Sequence, residues 1–274
     1  RENLSDYTFV NGQSFDLVSE TAHKLSHVIS DHGSNLDFAE SMIGSDLTGK
    51  AHTIYAECAL PAKTKRTMRR PTKKLFWASR IDDQKRPELL ARIARLLEKS
   101  GLDISIDAYG ETTYGKIGPE VFEGASLLHY KGGFDGFDTL PVDDYDGFLY
   151  TAAFDGLPNV VLEALASALP VIAPDVGGIG EAVTDQTGYL IEDDPDPDFL
   201  AERFIDAIKA LYDDWPEAVR RGENGRKLIA ERHSREAFLK RVAEVFELGP
   251  AEVPLSSELQ SAGKLEQPRE MESA

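Results

Sequence analysis

Cysteine is almost absent from this sequence: among 274 residues there is a single one, Cys58. A lone cysteine excludes an intrachain disulfide and any metal site built from several thiolates, and it fits a reducing compartment. We therefore expect a cytoplasmic protein. The chain also lacks an apolar run near the roughly 20 residues that a membrane helix needs, and its first residues do not resemble a signal peptide.

Positive charge is scarce as well, with 30 Lys and Arg residues against 48 Asp and Glu and a net charge of −18. This balance excludes nucleic acid as an expected partner, because the phosphate backbone would be repelled. The exception is the basic stretch KTKRTMRRPTKK, residues 63–74. Two readings stay open for it: a solvated interdomain linker, or a peripheral membrane contact through anionic lipid or an acidic glycan.

Histidine is sparse, with six residues, and none stands in an H-E-x-x-H pattern. None has a serine or cysteine at a position that suggests a nucleophile and its base. We therefore expect no nucleophilic triad, no metal and no cofactor, and we interpret the histidines as structural.

From Lys74 onward, short apolar runs alternate with amphipathic segments, which predicts an α/β fold: a Rossmann-like parallel sheet with helices on both faces. The predicted strands are Lys74–Ser79, Asp103–Tyr109, Ser126–Tyr130, Gly147–Ala153, Pro170–Ala173 and Gly188–Ile191. The predicted helices are Pro87–Ser100, Pro119–Glu123, Asn159–Ala168, Ile179–Thr184, Asp198–Tyr212, Trp215–His233 and Ser234–Leu248.

The first part of the chain predicts a partial second α/β unit. Its elements are a strand at Phe15–Ser19, a helix at Glu20–Ser30 with apolar residues at helical spacing, and a strand at His52–Tyr55. At the other end, residues 251–274 are polar and without periodicity, so we expect them to be disordered.

Ligands of parallel α/β sheets bind at the carboxyl ends of the strands, so we expect the functional residues in the loops there. The loop SRIDDQKRP places Arg80 and Lys85 where a strand leads into a helix. Two cations beside a helix N-terminus favour a diphosphate. Alternatively, both are surface cations and one pairs with Asp82 or Asp83.

The loop FDGLPN follows a later strand and carries two acids eight positions apart, Asp155 and Glu163. Gly156 permits a turn, Pro158 suits a helix start, and Asn159 either caps the helix or makes a polar contact. Both acids can face one cleft and accept hydrogen bonds from sugar or ribose hydroxyls. Alternatively, Glu163 pairs with an arginine or a backbone amide, and Asp155 is a turn residue.

The loop PDVGGIGEAV contains a glycine pair, Gly177 and Gly178. Small residues here either let backbone amides approach a ligand or only form a tight turn.

Taken in order, these loops resemble the nucleotide-sugar-binding half of a family 4 glycosyltransferase of the GT-B class. The resemblance covers about Leu75 to Leu248. It is carried by ASRIDDQKRPELL, AYGE, HYKGG, DGFLYTAAFDGLPNVVLEALASALPVIAPDVGGIGEAV and TGYLI.

The resemblance implies roles for the charged residues. Arg80 and Lys85 match contacts to the donor diphosphate. Asp155 matches the first acid of the family's pair, where Glu is usual, so it is shorter by one methylene. Glu163 matches the acid that holds the ribose hydroxyls.

The resemblance also implies roles for uncharged positions. Gly156, Asn159 and Val160 match phosphate or sugar contacts at a helix N-terminus, and Tyr109 and Gly110 match positions near the nucleobase.

The implied activity is retaining transfer of a sugar from a nucleotide-sugar to a glycan or lipid-linked acceptor, in polysaccharide or glycoconjugate synthesis, with cations in place of a metal. The expected organisation is 1–62, the end of an acceptor-binding domain; 63–74, a linker; 75–250, the donor domain; and 251–274, a tail. We expect the missing acceptor domain upstream of Arg1. Two other functions stay open: a catalytically silent nucleotide-sugar-binding module, and a sugar-nucleotide epimerase on the same fold.

Overall fold

A computed structural model describes residues 24–43, 47–61, 70–113 and 117–248. The predicted strand at Phe15–Ser19, residues 63–69 of the basic region and the predicted tail at 251–274 lie outside the described residues.

The first described unit is a strand, a helix and a strand: β1 (Val28–Ser30), α1 (Gly33–Ile43) and β2 (Ala51–Thr53). The two strands pair in parallel, with Val28 opposite Ala51. Within the described residues, the predicted helix Glu20–Ser30 is therefore wrong from Leu25 onward: residues 25–27 are not helical and Val28–Ser30 form β1. Val28 and Ile29 are adjacent β-branched residues, which lose side-chain freedom in a helix and fit a strand. Helix α1 was not predicted.

Six parallel strands form the main sheet: β3 (Lys74–Ala78), β4 (Ser105–Tyr109), β5 (Leu128–Gly132), β6 (Gly147–Leu149), β7 (Val171–Pro174) and β8 (Gly188–Ile191). Their order across the sheet is β5-β4-β3-β6-β7-β8. This confirms the predicted Rossmann-like parallel sheet.

Helices cover both faces of this sheet: α2 (Pro87–Lys99), α3 (Asn159–Ala166), α4 (Pro197–Asp213) and α5 (Trp215–Arg232). The last described helix, α6 (Arg235–Val245), instead contacts the first unit, where Arg241 Nε donates to the Thr53 carbonyl at 3.1 Å. Strand β3 shows the arrangement, because Leu75 and Trp77 pack with residues of α2 and α4, and Phe76 and Ala78 with residues of α3 and α5. All four side chains are fully buried, as expected for a central parallel strand. None of the described helices has the length and apolarity needed to span a bilayer.

Strand order fixes where a ligand site can form. From β3 the chain builds outward through β4 and β5, and then returns to place β6 on the other side of β3. The crevice between the carboxyl ends of β3 and β6 is therefore the topological switch point, the usual ligand site in such sheets. Arg80 and Lys85 follow β3, and Asp155 follows β6, so the fold brings these residues to one place.

Strand β6 is shorter than predicted, ending at Leu149 instead of Ala153. Beyond it the chain bonds to the loop after β3: the Thr151 hydroxyl donates to the Lys85 carbonyl at 2.6 Å, and the Ala153 amide to the Gln84 carbonyl at 2.8 Å. From Thr151 onward the chain therefore bonds to the loop after β3, which joins the two loops of the crevice.

Candidate functional site

A cavity of about 280 Å³ opens at the switch point, and we call it the Lys85 cavity. Its walls come from the Arg80 loop (residues 79–86), the Asp155 loop (residues 150–158), the start of α3 and one residue after β5. The lining residues are Ser79, Arg80, Lys85, Phe134, Tyr150, Asp155, Pro158, Asn159 and Val160. Five of the predicted site residues thus line one cavity: Arg80, Lys85, Asp155, Asn159 and Val160.

Lys85 and Asp155 form a largely buried ion pair in this cavity, with side chains 9% and 19% exposed. Lys85 closes a short 3-10 turn, Asp83–Lys85, whose start is capped by Asp82: its carboxylate accepts from the Lys85 amide at 3.1 Å. The turn therefore fixes the backbone from which the ammonium group reaches Asp155.

Tyr150, which the sequence did not single out, joins this ion pair. Its hydroxyl accepts from Lys85 Nζ at 2.9 Å and donates to Asp155 Oδ2, the same oxygen that Lys85 contacts. Burial and the negative charge of Asp155 raise the pKa of Tyr150 far above its usual value. The phenol is therefore a permanent donor to the carboxylate at neutral pH.

Arg80 lies at the rim of the cavity, with its side chain 42% exposed. Its Nε is 3.5 Å from Asp82 Oδ2, the pairing that the sequence left open, and its Nη2 donates to Gln84 Oε1 at 3.0 Å. Gln84 Nε2 in turn donates to the Phe154 carbonyl at 3.0 Å. Gln84, also missed in the sequence, thus ties the guanidinium to the Asp155 loop.

Helix α3 begins at the cavity. Pro158 is its N-cap residue and Asn159 its first helical residue, and the N-cap makes no side-chain hydrogen bond. The interpretation of Asn159 as a cap is therefore wrong, whereas Asn159 as an exposed polar group at the helix start agrees with the structure. The first amides of the helix and two cations face the same cavity, a combination that attracts anions.

Glu163 lies one turn further along α3 and faces a second, adjoining cavity of about 460 Å³, which we call the Glu163 cavity. Asn159 lines both cavities, so the cavity of Asp155 and the cavity of Glu163 adjoin at the start of α3. Burial, reinforced by the charge of Asp138, raises the pKa of Glu163.

The opposite wall of the Glu163 cavity is residues 57–61, part of the segment that follows β2. Helix α5 and the residue that follows it hold this segment: the Cys58 amide donates to the His233 carbonyl at 2.8 Å, and Arg226 Nη2 to the Pro61 carbonyl at 2.8 Å. Burial, and to a lesser degree Glu163, raises the pKa of the Cys58 thiol to about 12. Cys58 is therefore an inert wall residue and not a nucleophile.

Tyr109 and Gly110 end β4 and lie behind the Arg80 loop; neither is among the residues that line the two cavities. The Tyr109 carbonyl accepts from the Ser79 amide at 3.1 Å, and its hydroxyl lies 2.7 Å from that of Tyr145. A Cβ on Gly110 would lie 1.8 Å from the Ser79 carbonyl oxygen. In this structure both residues support the Arg80 loop.

The glycine pair packs against the Asp155 loop. Gly177 has a left-handed φ of +56°, and a Cβ there would lie 1.6 Å from the Asp155 carbonyl oxygen. The Gly178 amide donates to the Gly156 carbonyl at 2.9 Å, and a Cβ on Gly178 would lie 2.6 Å from the His32 side chain. Backbone packing therefore accounts for the pair, as in the tight-turn interpretation.

The unit β1-α1-β2 reaches the same loops. The Ser34 hydroxyl donates to the Gly177 carbonyl at 2.9 Å, and the Glu181 carboxylate accepts from the Ser34 amide at 3.0 Å and the Tyr55 hydroxyl at 2.8 Å. Burial acts in the opposite direction, but these hydrogen bonds and one from Gly33 lower the pKa of Glu181. The start of α1 is thus capped by Glu181, which belongs to the segment between β7 and β8 of the main sheet.

Comparison with known proteins agrees with this geometry. The family model described as glycosyl transferases group 1 matches residues 72–214, which is just over half of the chain. D-inositol 3-phosphate glycosyltransferase of Arthrobacter sp. (strain FB24) is 28% identical over 77% of this chain and 49% of its own length. The O-antigen biosynthesis glycosyltransferase WbnH of Escherichia coli is 30% identical over 45% of this chain and 34% of its own.

Among solved structures, TarM of S. aureus, in complex with fondaparinux, alpha-GlcNAc-glycerol and UDP, superposes with a TM-score of 0.68. It is 22% identical and covers 90% of this chain and 49% of its own, so the likeness is one of fold. The chain spans about half the length of the D-inositol 3-phosphate glycosyltransferase and of TarM. With the sheet order, the switch-point cavity and the family match in agreement, the chain belongs to the glycosyl transferases group 1 family and has the GT-B glycosyltransferase fold.

Proposed function

We propose that this chain is the donor-binding half of a glycosyltransferase that moves a sugar from a nucleotide-sugar to a glycan or lipid-linked acceptor with retention of configuration. The observation that supports it most is the Lys85 cavity, where Arg80, Lys85 and the N-terminus of α3 meet at the switch point. This set of positive groups suits a diphosphate, the leaving group of a nucleotide-sugar.

In this proposal the bond that breaks joins the anomeric carbon of the sugar to the diphosphate oxygen. Negative charge grows on that oxygen, and Arg80, Lys85 and the amides of α3 stabilise it more strongly as it grows. The acceptor hydroxyl attacks from the face that the diphosphate leaves, and its proton passes to the departing phosphate. Asp155, the ion-pair partner of Lys85 in this cavity, orients the donor sugar.

The Glu163 cavity takes the nucleoside in this proposal. It adjoins the diphosphate position through Asn159, and the half-buried Glu163 carboxylate accepts hydrogen bonds from the two ribose hydroxyls. We further propose that Arg80 and Lys85 make a divalent metal unnecessary, so turnover should survive excess chelator. UDP is part of the TarM complex, and O-antigen synthesis is part of the name of WbnH; both support a nucleotide-sugar donor and a polysaccharide-type acceptor.

The test combines calorimetry with product analysis. UDP-glucose, UDP and GDP-mannose are titrated into the complete protein that contains this chain, and the anomeric configuration of the product is read by proton NMR. Binding of a nucleotide-sugar followed by transfer with retained configuration supports the proposal. Binding without transfer or hydrolysis would favour the silent module, and conversion of the free nucleotide-sugar into its epimer would favour the epimerase.

A further inference from the structure

Tyr150 is buried, so its side-chain hydroxyl needs hydrogen-bond partners inside the protein. The residue follows β6 directly and is fully buried, its amide donates to the Ile172 carbonyl at 2.9 Å, and its ring stacks on Phe148 with centroids 6.3 Å apart. The backbone bond and the ring packing fix the direction of the phenol. The hydroxyl is therefore delivered to the carboxyl edge of the sheet by a rigid element and not by a mobile loop.

The hydroxyl closes a triangle of three polar groups. Lys85 donates to Tyr150 and to Asp155, and Tyr150 donates to the Asp155 oxygen that Lys85 also contacts. The three residues come from three places: the turn after β3, the end of β6 and the loop before α3. The triangle therefore links these three segments to one another at the switch point.

A largely buried ion pair needs additional hydrogen bonds, because desolvation of two charges is only repaid when their remaining donors and acceptors are satisfied. Tyr150 supplies one donor to the carboxylate and one acceptor to the ammonium. An ammonium has three N–H donors, and two are used within the triangle. Among the described residues no further side chain bonds to Lys85 Nζ, so the third donor is available to a ligand in the Lys85 cavity.

We propose that Tyr150 is a positioning residue of the donor site, whose hydroxyl holds Asp155 and Lys85 in place when the donor diphosphate takes up an N–H of Lys85. The inference rests on the proposed function. If the phenol were absent and a diphosphate drew Lys85 toward itself, Asp155 Oδ2 would lose both of the donors that contact it here. With the phenol, the carboxylate keeps a neutral donor that the ligand does not compete for.

The test compares Tyr150→Phe with Tyr189→Phe. Both remove one hydroxyl from a buried ring, but the Tyr189 hydroxyl has no hydrogen-bond partner among the described residues and belongs to β8, at the edge of the sheet. We expect Tyr150→Phe to lower the turnover of UDP-glucose or GDP-mannose by roughly 10- to 100-fold, the worth of a hydrogen bond to a charged group. The donor KM should change less than about threefold, and Tyr189→Phe should stay within about twofold in both constants.

A double variant separates positioning from packing. In an Asp155→Asn background, Tyr150→Phe should have little further effect on turnover, because the group that Tyr150 positions is already lost. Full additivity of the two losses, or Tyr150→Phe turnover within twofold of the unmodified protein, would overturn the proposal.

A readout without catalysis keeps the proposal separate from the proposed function. In the nitrogen-15-labelled chain, the Lys85 ammonium protons should exchange slowly with water, and Tyr150→Phe should speed their exchange, while Tyr189→Phe should not. Unchanged exchange in Tyr150→Phe overturns the inference whatever the activity. Faster exchange in a protein that binds no nucleotide-sugar instead supports the triangle and refutes the proposed function.

Discussion

Replacement of Gly177 by alanine should disturb the site from a position that the proposed ligand does not touch. The new Cβ would meet two penalties. First, φ is +56°, a left-handed conformation that costs a residue with a Cβ about 1–2 kcal/mol. Second, the Cβ would lie 1.6 Å from the Asp155 carbonyl oxygen. Because carbon and oxygen normally stay at least about 3.3 Å apart, the Asp155 loop must move by more than 1 Å.

Gly101→Ala is the matched control. Gly101 also has a left-handed φ, +68°, but a Cβ there would have no atom within 4 Å. Backbone strain alone should lower the melting temperature of Gly101→Ala by about 2–8 °C, at about 2–4 °C per kcal/mol. Gly177→Ala should lose more, because strain and displacement add.

Activity should separate the two variants further. A displacement of about 1 Å at a reacting centre can cost about 100-fold in rate, so Gly177→Ala should lose about that much turnover while Gly101→Ala keeps its activity. The assays are differential scanning calorimetry and nucleotide-sugar turnover. Equal melting temperatures and equal turnover in the two variants would refute the link between Gly177 and the position of Asp155.

Three further outcomes are expected. Glu163→Gln should weaken UDP binding in calorimetry. Binding by the unmodified protein should fall as pH is lowered through the raised pKa of Glu163, because protonation of the carboxylate removes an acceptor for the ribose hydroxyls. Binding of UDP that does not depend on pH would contradict this role. Glu181 has a lowered pKa, so its contribution to stability is present above its unfolded pKa and lost as pH falls through its folded pKa; Glu181→Gln should flatten this acid limb of the melting temperature. Gln84→Ala should raise the donor KM severalfold because Arg80 loses its tether, whereas Gln186→Ala, in an exposed turn, should not.

Much of the sheet could be predicted from the sequence because its strands are apolar runs with clear breaks. The β8 strand was predicted with its observed bounds, and α2 to within one residue. Short elements near a unit boundary were harder. Helix α1 has little amphipathic pattern, and β1 was absorbed into a predicted helix because three apolar residues happened to fall at helical spacing.

The candidate site was predictable as a set of loops but not as a set of contacts. Arg80, Lys85 and Asp155 could be found because charged residues at strand ends are conspicuous. Tyr150 could not, because an aromatic residue inside an apolar run has no local sign that its hydroxyl meets an ion pair. The surroundings of Glu163 could not be predicted either, because one wall of the Glu163 cavity is formed around Cys58, about a hundred residues earlier in the chain.

The contacts of Glu181 bear on how the chain could be divided. This carboxylate caps the first turn of α1, while the Ser34 hydroxyl and the His32 ring lie against the glycine pair that supports Asp155. A protein trimmed to residues 70–248 would keep every strand of the main sheet. It would nevertheless leave Glu181 without two amide partners and open a gap beside Gly178. The change in sequence pattern near residue 63 is therefore a poor place to cut, because each side supplies part of the other's structure.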